Sequence, residues 1–302
     1  MNRRVFSVAL AALASCRRES ARPEPALPAG EDEPVLIARP PHKEAPDGVP
    51  LLSGAITRLR ESRDRAPFLN AEVGGVSTLV LVATRESPHR WRPQVAMSRL
   101  SRRLGLDVVP STVARRESLS ALLAAAEDDT ARALLRDAST LPDGRVPLSI
   151  GLLPSGVVTR QTIYSNEAAR WARLAEATEA PTGDGARTEA SYVAMMVLDY
   201  LSGNLFRRVA DEAPDGRLIL LDSRTAFVEH PEARAVDAMF ERLKRAQRFP
   251  PALKTTLPLL DERAADDELR AGDYESWLVH KRPIRELLLR ARAVRGLVEA
   301  RQ

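Results

Sequence analysis

Two short apolar runs, each closing on an aspartate, constrain this chain more than any other feature. The first, "VLDYLSGNLFRR" (197–208), passes through Asp199 into a Ser-Gly-Asn turn, then Phe206 and two arginines. The second, "LILLDSRTAF" (218–227), ends its apolar part on Asp222. Each run is strand-like on its own, and the first also closes a helical pattern over 188–201. Segments that bring polar groups to a shared end define a site, and 204–227 reads as hairpin-like. Phe206 is the odd residue there, because a third polar group is due at its position.

The rest of the chain places these runs. With 302 residues it can build one large domain or two small ones. From about 51 the pattern is globular. "STLVLVAT" (77–84) follows Gly74 and Gly75 and reads as a strand leaving a turn. "RPQVAMSRLSRRLGL" (92–106) has helical spacing, with Pro93 near its start and Gly105 at its end. "DVVPSTVA" (107–114) reads as a strand broken at Pro110, 118–138 as one helix, and "VPLSIGLLPSG" (146–156) as a strand. A helical pattern returns over 165–178 and a polar Gly-Pro stretch precedes the helix at 188. The last hundred residues are mainly helical, ending in a stripe through Ile284, Leu287, Leu288, Ala291 and Val294 after Pro283. No internal repeat is evident. The expected fold class is α+β: a small mixed lobe over 51–156 and a larger, mainly helical lobe over 157–302.

The N-terminus carries a different signal. Arg3 and Arg4 precede an apolar run from Val5 to Leu13. That run is too short to span a bilayer, and it has the layout of a secretory leader. The only cysteine, Cys16, follows Leu13, Ala14 and Ser15. This resembles a bacterial lipobox, in which the cysteine is lipidated and becomes the first residue. The expectation is a signal peptide over 1–15, a membrane anchor at Cys16 and a Pro-rich tether over 16–50. Cleavage would lower the formal net charge from +4 to +2. The location expected is the cell envelope, facing the periplasm or the exterior.

Composition excludes several chemistries. One cysteine allows no internal disulfide, no thiolate zinc site and, once lipidated, no cysteine nucleophile. His42, His89, His230 and His280 are too scattered to suggest a metal cluster. Aromatics make up only 4%, which offers little base-stacking surface, so nucleic acid is not an expected partner. A pI near 9.5 fits a solvated surface of mixed charge. There is no P-loop, nucleophile elbow, zincin or dinucleotide fingerprint.

The order of elements resembles the atypical kinases of the four-jointed and secretory-pathway kinase group, and more distantly the HipA-like kinases. The segments that carry it are "DYLSGNLFRR" (199–208), "LDSRTAF" (221–227), "QVAMSRLSRRLGLDVVPSTVAR" (94–115), "VPLSIGLLPSG" and "RLKRAQRFPPALKTTLPLLD" (242–261). Together they cover roughly 60–300. The resemblance implies a two-lobed kinase-like fold with ATP and Mg2+ or Mn2+ as cofactors. It implies metal binding by Asp222, with Asn204 as the loop asparagine and Asp199 as the aspartate opening the motif. Asn204 and Asp199 could equally organise the turn through hydrogen bonds to backbone. Gly74 and Gly75 read either as a phosphate cover or as a plain tight turn.

Three positions depart from the pattern. Phe206 stands where the family has its catalytic aspartate, and a phenyl ring cannot accept a proton. Gln94 stands where a helix glutamate would hold a lysine. That lysine is itself missing, since none lies between Lys43 and Lys244. Arg85 or Arg90 could bring charge, although a planar fork does not replace a point charge. Arg208 also replaces the histidine that closes the motif. These losses remove catalytic electrostatics while the apolar frame survives. The expected protein is a lipid-anchored pseudokinase, a binding or scaffold module for an envelope protein partner, with residual nucleotide or metal binding through Asp222. Two alternatives stay open: an active divergent kinase using Asp199 or Asp211 as base, and a structural lipoprotein without a nucleotide site.

Overall fold

A computed structural model describes residues 51, 53–154, 159–162, 165–205, 207–269 and 278–301. The expected leader, Cys16, the tether and Phe206 all lie outside the described residues.

The smaller lobe is a five-stranded antiparallel sheet in the order β1-β2-β3-β5-β4. Its strands are β1 (Ile56–Glu61), β2 (Leu69–Val73), β3 (Val76–Val82), β4 (Thr112–Ser118) and β5 (Arg145–Leu152). The β2–β3 hairpin closes on Gly74 and Gly75 with Val73 paired to Val76. Both glycines have positive φ, 57° and 82°. A two-residue hairpin loop demands that conformation, because only a left-handed pair matches the twist of the flanking strands. Helix α1 (Arg92–Arg103) packs against one end of the lobe, and Gly105, at φ 64°, turns the chain after it.

The run expected as one helix over 118–138 is two: α2 (Leu119–Ala125) and α3 (Asp129–Arg136). Helical propensity is high throughout, so composition gave no break. The break comes from Asp128, which accepts bonds from the Ala131 and Glu61 amides at 2.7 Å each. One carboxylate thereby caps α3 and ties it to β1, and the Ala131 amide holds its pKa below the usual range. Asp128→Ala is expected to cost about 1 kcal/mol by chemical denaturation. Leu59, Val80, Val113, Leu122, Leu135, Leu148 and Ile150 form the core between the sheet and these helices.

The larger lobe is mainly helical. It holds α4 (Asn166–Glu176), α5 (Gly183–Ser202), α6 (Ala233–Arg245), α7 (Ala252–Thr256), α8 (Glu262–Leu269) and α9 (Lys281–Ala300). A small sheet of β6 (Thr159–Thr162), β7 (Val209–Glu212) and β8 (Leu218–Ile219) lies with them. Helix α5 starts five residues before its expected onset and is buried around most of its circumference from Ser191 onward. A helix apolar all round belongs at the centre of a lobe. Val193, Val197, Leu198 and Leu201 have no exposed surface, and each contributes on the order of 1.5–3 kcal/mol of burial. The stripe of α9 is buried through Ile284, Leu287, Ala291, Val294 and Val298, while Leu288 is half-buried.

The lobes meet along the segment after β8. Ile219 and Leu221 pack with Phe68, Leu79 and Leu81 of the sheet. The Leu220 amide donates to the Val108 carbonyl at 2.7 Å. Among the described residues no helix is long and apolar enough to cross a membrane.

Candidate functional site

The site is built where the C-terminus of α5 meets the segment after β8. Helix α5 ends on Gly203, which adopts φ 64°. That left-handed conformation calls for glycine, and a Cβ there would also stand 3.3 Å from the Arg290 guanidinium. The first apolar run is therefore helical to its end, and Asp199 sits one turn before the cap rather than at a strand terminus.

Asp199 is buried and fully engaged. Its carboxylate accepts from Asn204 Nδ2 at 2.9 Å, from Arg207 Nε at 2.6 Å and from Arg207 Nη2 at 2.8 Å. Arg207 reaches on to the Asp222 carbonyl at 2.7 Å. Asn204 accepts from the Thr225 hydroxyl at 2.6 Å. One buried fork thus fixes the loop after α5 to the loop after β8. With three hydrogen bonds on its two oxygens, Asp199 organises this turn.

Asp222 stands three residues beyond β8, at the lobe junction. Its carboxylate accepts from Arg224 Nε at 2.9 Å and Nη2 at 2.8 Å, and from the Arg224 amide at 3.2 Å. Burial pushes the Asp222 carboxyl up, but the Arg224 guanidinium outweighs it and holds the group below the usual carboxylate range. The guanidinium also lies over the Phe68 ring, 5.5 Å from its centroid. Three residues past Arg224, Phe227 is the one non-glycine with positive φ among the described residues, at 60°. Its amide bond to the Ser202 carbonyl, 2.7 Å, and its burial hold it in that costly conformation.

Gln94 is buried on α1 and faces backbone rather than a cation. Its Nε2 donates to the Leu221 carbonyl at 2.7 Å, and its Oε1 accepts from the Ser223 amide. It brackets Asp222 from the other lobe. A glutamate could not make the first of these bonds while ionised.

The other candidates fall in different places. Gly74 and Gly75 form the exposed hairpin turn at the opposite end of β2 and β3 from the Phe68–Leu81 contact. The tight-turn reading describes them, and the phosphate-cover reading does not fit that position. The loop near the aspartates is 62–68, through Arg65, which pairs with buried Asp211 on β7. Burial raises the Asp211 carboxyl above its ordinary range, Arg65 works against that rise, and the Asp222 charge adds to it. Arg90 donates from Nε to the Val82 carbonyl at 2.8 Å, and burial followed by the Arg224 charge lowers its pKa. It therefore stands on the same side as the Asp222–Arg224 pair, whereas Arg85 is exposed. Arg208, the residue replacing the motif's closing histidine, is exposed between Arg207 and β7. Phe206 lies outside the described residues.

The site as arranged does not fit a divalent metal. Both Asp222 oxygens are taken by a guanidinium, and Asn204 is bonded at both ends of its amide. Among the described residues no group of three or more His, Cys, Asp or Glu side chains could hold a metal ion. Sequence reasoning passed over Arg207 and Arg224 as partners. Spacing permits the Arg224 contact, since an arginine two residues after a turn aspartate can fold back onto it, but does not select it, and Arg207, eight residues after Asp199, gives no such signal.

Comparison with known proteins agrees with this architecture. No family model and no curated protein matches the chain. Among solved structures the Golgi casein kinase is similar, with a TM-score of 0.59 and 15% identity, over 82% of this chain and 72% of that one. The Golgi casein kinase with Mn/ADP bound gives 0.58 and 15%, over 82% and 73%. The structure of hydra Fam20 with sugar gives 0.58 and 16%, over 83% and 86%. The chain has a two-lobed, kinase-like fold.

Proposed function

We propose that this chain is a kinase-like binding module that does not catalyse metal-dependent phosphoryl transfer. The observation that carries the reading is the Asp222–Arg224 pair. Phosphoryl transfer depends on a divalent cation bridging phosphate oxygens to this aspartate. Here an arginine of the same chain neutralises it, and no protein lysine lies in the preceding lobe to grip the phosphates. Gln94 supports the reading, since it serves as a fixed joint between lobes instead of an anion for a lysine.

In this reading the module is held in the cell envelope by lipidated Cys16 and a Pro-rich tether, and presents its surface to a protein partner. The leader and lipobox pattern support the anchor. Residual nucleotide binding would rest on the cations around the cleft, chiefly Arg65 and Arg90.

Calorimetric titration with Mn2+ and with ATP, separately and together, tests the site. The wild-type chain is expected to bind Mn2+ at best weakly. Arg224→Ala frees the carboxylate and is expected to tighten Mn2+ binding by about tenfold or more, the scale of a lost competing ion pair. An Arg224→Ala chain no better at binding Mn2+ would remove the argument from neutralisation. Transfer of radiolabel from ATP by the wild-type chain, abolished in Asp222→Ala, would overturn the reading in favour of an active divergent kinase.

A further inference from the structure

Helix α9 buries one face in the larger lobe, through Ile284, Leu287, Ala291, Val294 and Val298, and turns the other to solvent. At about 100° per residue, Lys281, Arg282, Arg285, Leu289 and Arg292 share an arc of roughly 100° opposite that buried face. All five are exposed. The cations therefore line about 16 Å of one helix face, at ~1.5 Å per residue.

Nothing in the chain answers these charges. The ion pairs of this helix belong to other residues, His280 with Glu229 at 3.7 Å and Arg295 with Glu299 at 2.7 Å. Among the described residues none of Lys281, Arg282, Arg285 and Arg292 has a partner. Glu286, the one carboxylate in the stretch, is half-buried and stands one turn before buried Arg290. The placement also costs the helix locally. Its first turn holds no acid, so Lys281 and Arg282 stand where the helix dipole favours anions. Lys281 and Arg285 add like-charge repulsion at a spacing of four. Local costs on a solvent face are accounted for by a partner of opposite charge.

Leu289 specifies that partner. It lies amid the cations with 57% of its surface exposed. Among the described residues the other large apolar side chain so exposed is Leu259, at 62%. It lies on the short turn Leu257–Leu259, which packs against α9. A polyanion such as nucleic acid or an acidic peptide offers charge and no apolar depth. An anionic bilayer offers both: head groups for the cations, and an acyl boundary that an amphipathic face reaches at roughly 5–10 Å.

We propose that the outer face of α9 docks on an anionic lipid surface, with Lys281, Arg282, Arg285 and Arg292 at the head groups and Leu289 at the acyl boundary. The helix keeps its buried face in the lobe and lies in the plane of the interface. This docking goes beyond the pseudokinase reading and stands without it, and without lipid on Cys16.

The test uses the full chain with Cys16→Ser and Leu289→Cys, which leaves one thiol, at the centre of the face, for an environment-sensitive dye. A blue shift is expected with phosphatidylglycerol vesicles at low salt, and none with phosphatidylcholine vesicles. The reporter sits on α9, so insertion of the apolar run Val5 to Leu13 does not mimic it. Each basic residue near an anionic surface is worth about fivefold, so adding Arg282→Gln, Arg285→Gln and Arg292→Gln is expected to raise the half-saturating lipid about 100-fold. Salt at about 0.5 M is expected to reverse the shift. All the altered α9 positions are exposed, so these variants keep the packed face intact. No shift with phosphatidylglycerol, or an unchanged half-saturation in the triple variant, overturns the proposal. An equal shift with phosphatidylcholine overturns the selection by charge. An equal shift with duplex DNA or polyglutamate overturns the assignment of lipid.

Discussion

Arg207→Ala is expected to destabilise the chain by about 3–5 kcal/mol, the range for removing one member of a buried ion pair. Arg207 and Asp199 are among the least exposed charges described, with side chains 4% and 7% exposed. Removing the guanidinium takes two bonds from Asp199 and leaves one, from Asn204, on a buried carboxylate. It also frees the Asp222 carbonyl, which Arg207 holds at 2.7 Å. The loss would appear as a lower midpoint in urea unfolding, with the loop after α5 loosened first. Arg207→Lys is expected to recover only part, because a point charge cannot reproduce a fork held on two oxygens at once. A double change, Arg207→Met with Asp199→Asn, is expected to cost less than Arg207→Ala alone, since it strands no charge. A loss below about 1 kcal/mol for Arg207→Ala would place the pair in the class of solvent-screened surface bridges, and the fork would not be what fixes the two loops.

This fork also shows where sequence reading stops. The helix through Asp199 to Ser202, the strands β3 (Val76–Val82) and β5 (Arg145–Leu152) within the runs at 77–84 and 146–156, and the apolar stripe of α9 follow from periodicity and punctuation, and the structure has them. So does the two-lobed order, which came from resemblance across several segments. Partner choice among charges did not follow. The motif around 199–208 offers Asp199 and two arginines, and only the fold decides that Arg207 turns inward while Arg208 stays in water. The same holds at Asp222. The resemblance makes the Asp222 carboxylate a metal ligand, whereas Arg224, two residues on, closes over it with the Phe68 ring beneath its guanidinium. Asp128 is a third case. The alanine-rich run breaks where the Asp128 carboxylate caps α3 through one oxygen and holds a β1 amide, distant in sequence, through the other. Charge pairing and caps are decided by three-dimensional neighbours, while apolar periodicity is written along one element.

Gln94 gives the sharpest test of the pseudokinase reading. Gln94→Glu restores the residue type that the kinase resemblance expects on α1, and it is expected to weaken folding at neutral pH by about 3 kcal/mol. The amide now donates to the Leu221 carbonyl and accepts from the Ser223 amide. A protonated carboxyl can do both. An ionised one sets an oxygen anion against a carbonyl in a buried position, so the introduced group would titrate above the ordinary ~4.3 of a glutamate. The sign follows from proton binding: between the unfolded and the raised folded pKa, the native state holds more protons than the unfolded chain. Stability relative to the wild type is therefore kept below about pH 4 and lost as pH rises through the folded pKa. Urea midpoints of both chains at pH 4.5 and 7.5 measure this, with the gap opening at the higher value. The opposite outcome carries as much information. A Gln94→Glu chain as stable as wild type at pH 7.5 would require a cation to move onto the new carboxylate, and the nearby guanidiniums belong to Arg207, Arg224 and Arg90. Arg207 is committed to Asp199, so the cation would come from Arg224 or Arg90. Release of Arg224 would expose Asp222 to metal, and capture of Arg90 would place a guanidinium–carboxylate pair where a working kinase has its lysine–glutamate pair. Either would return this chain to the transferase reading.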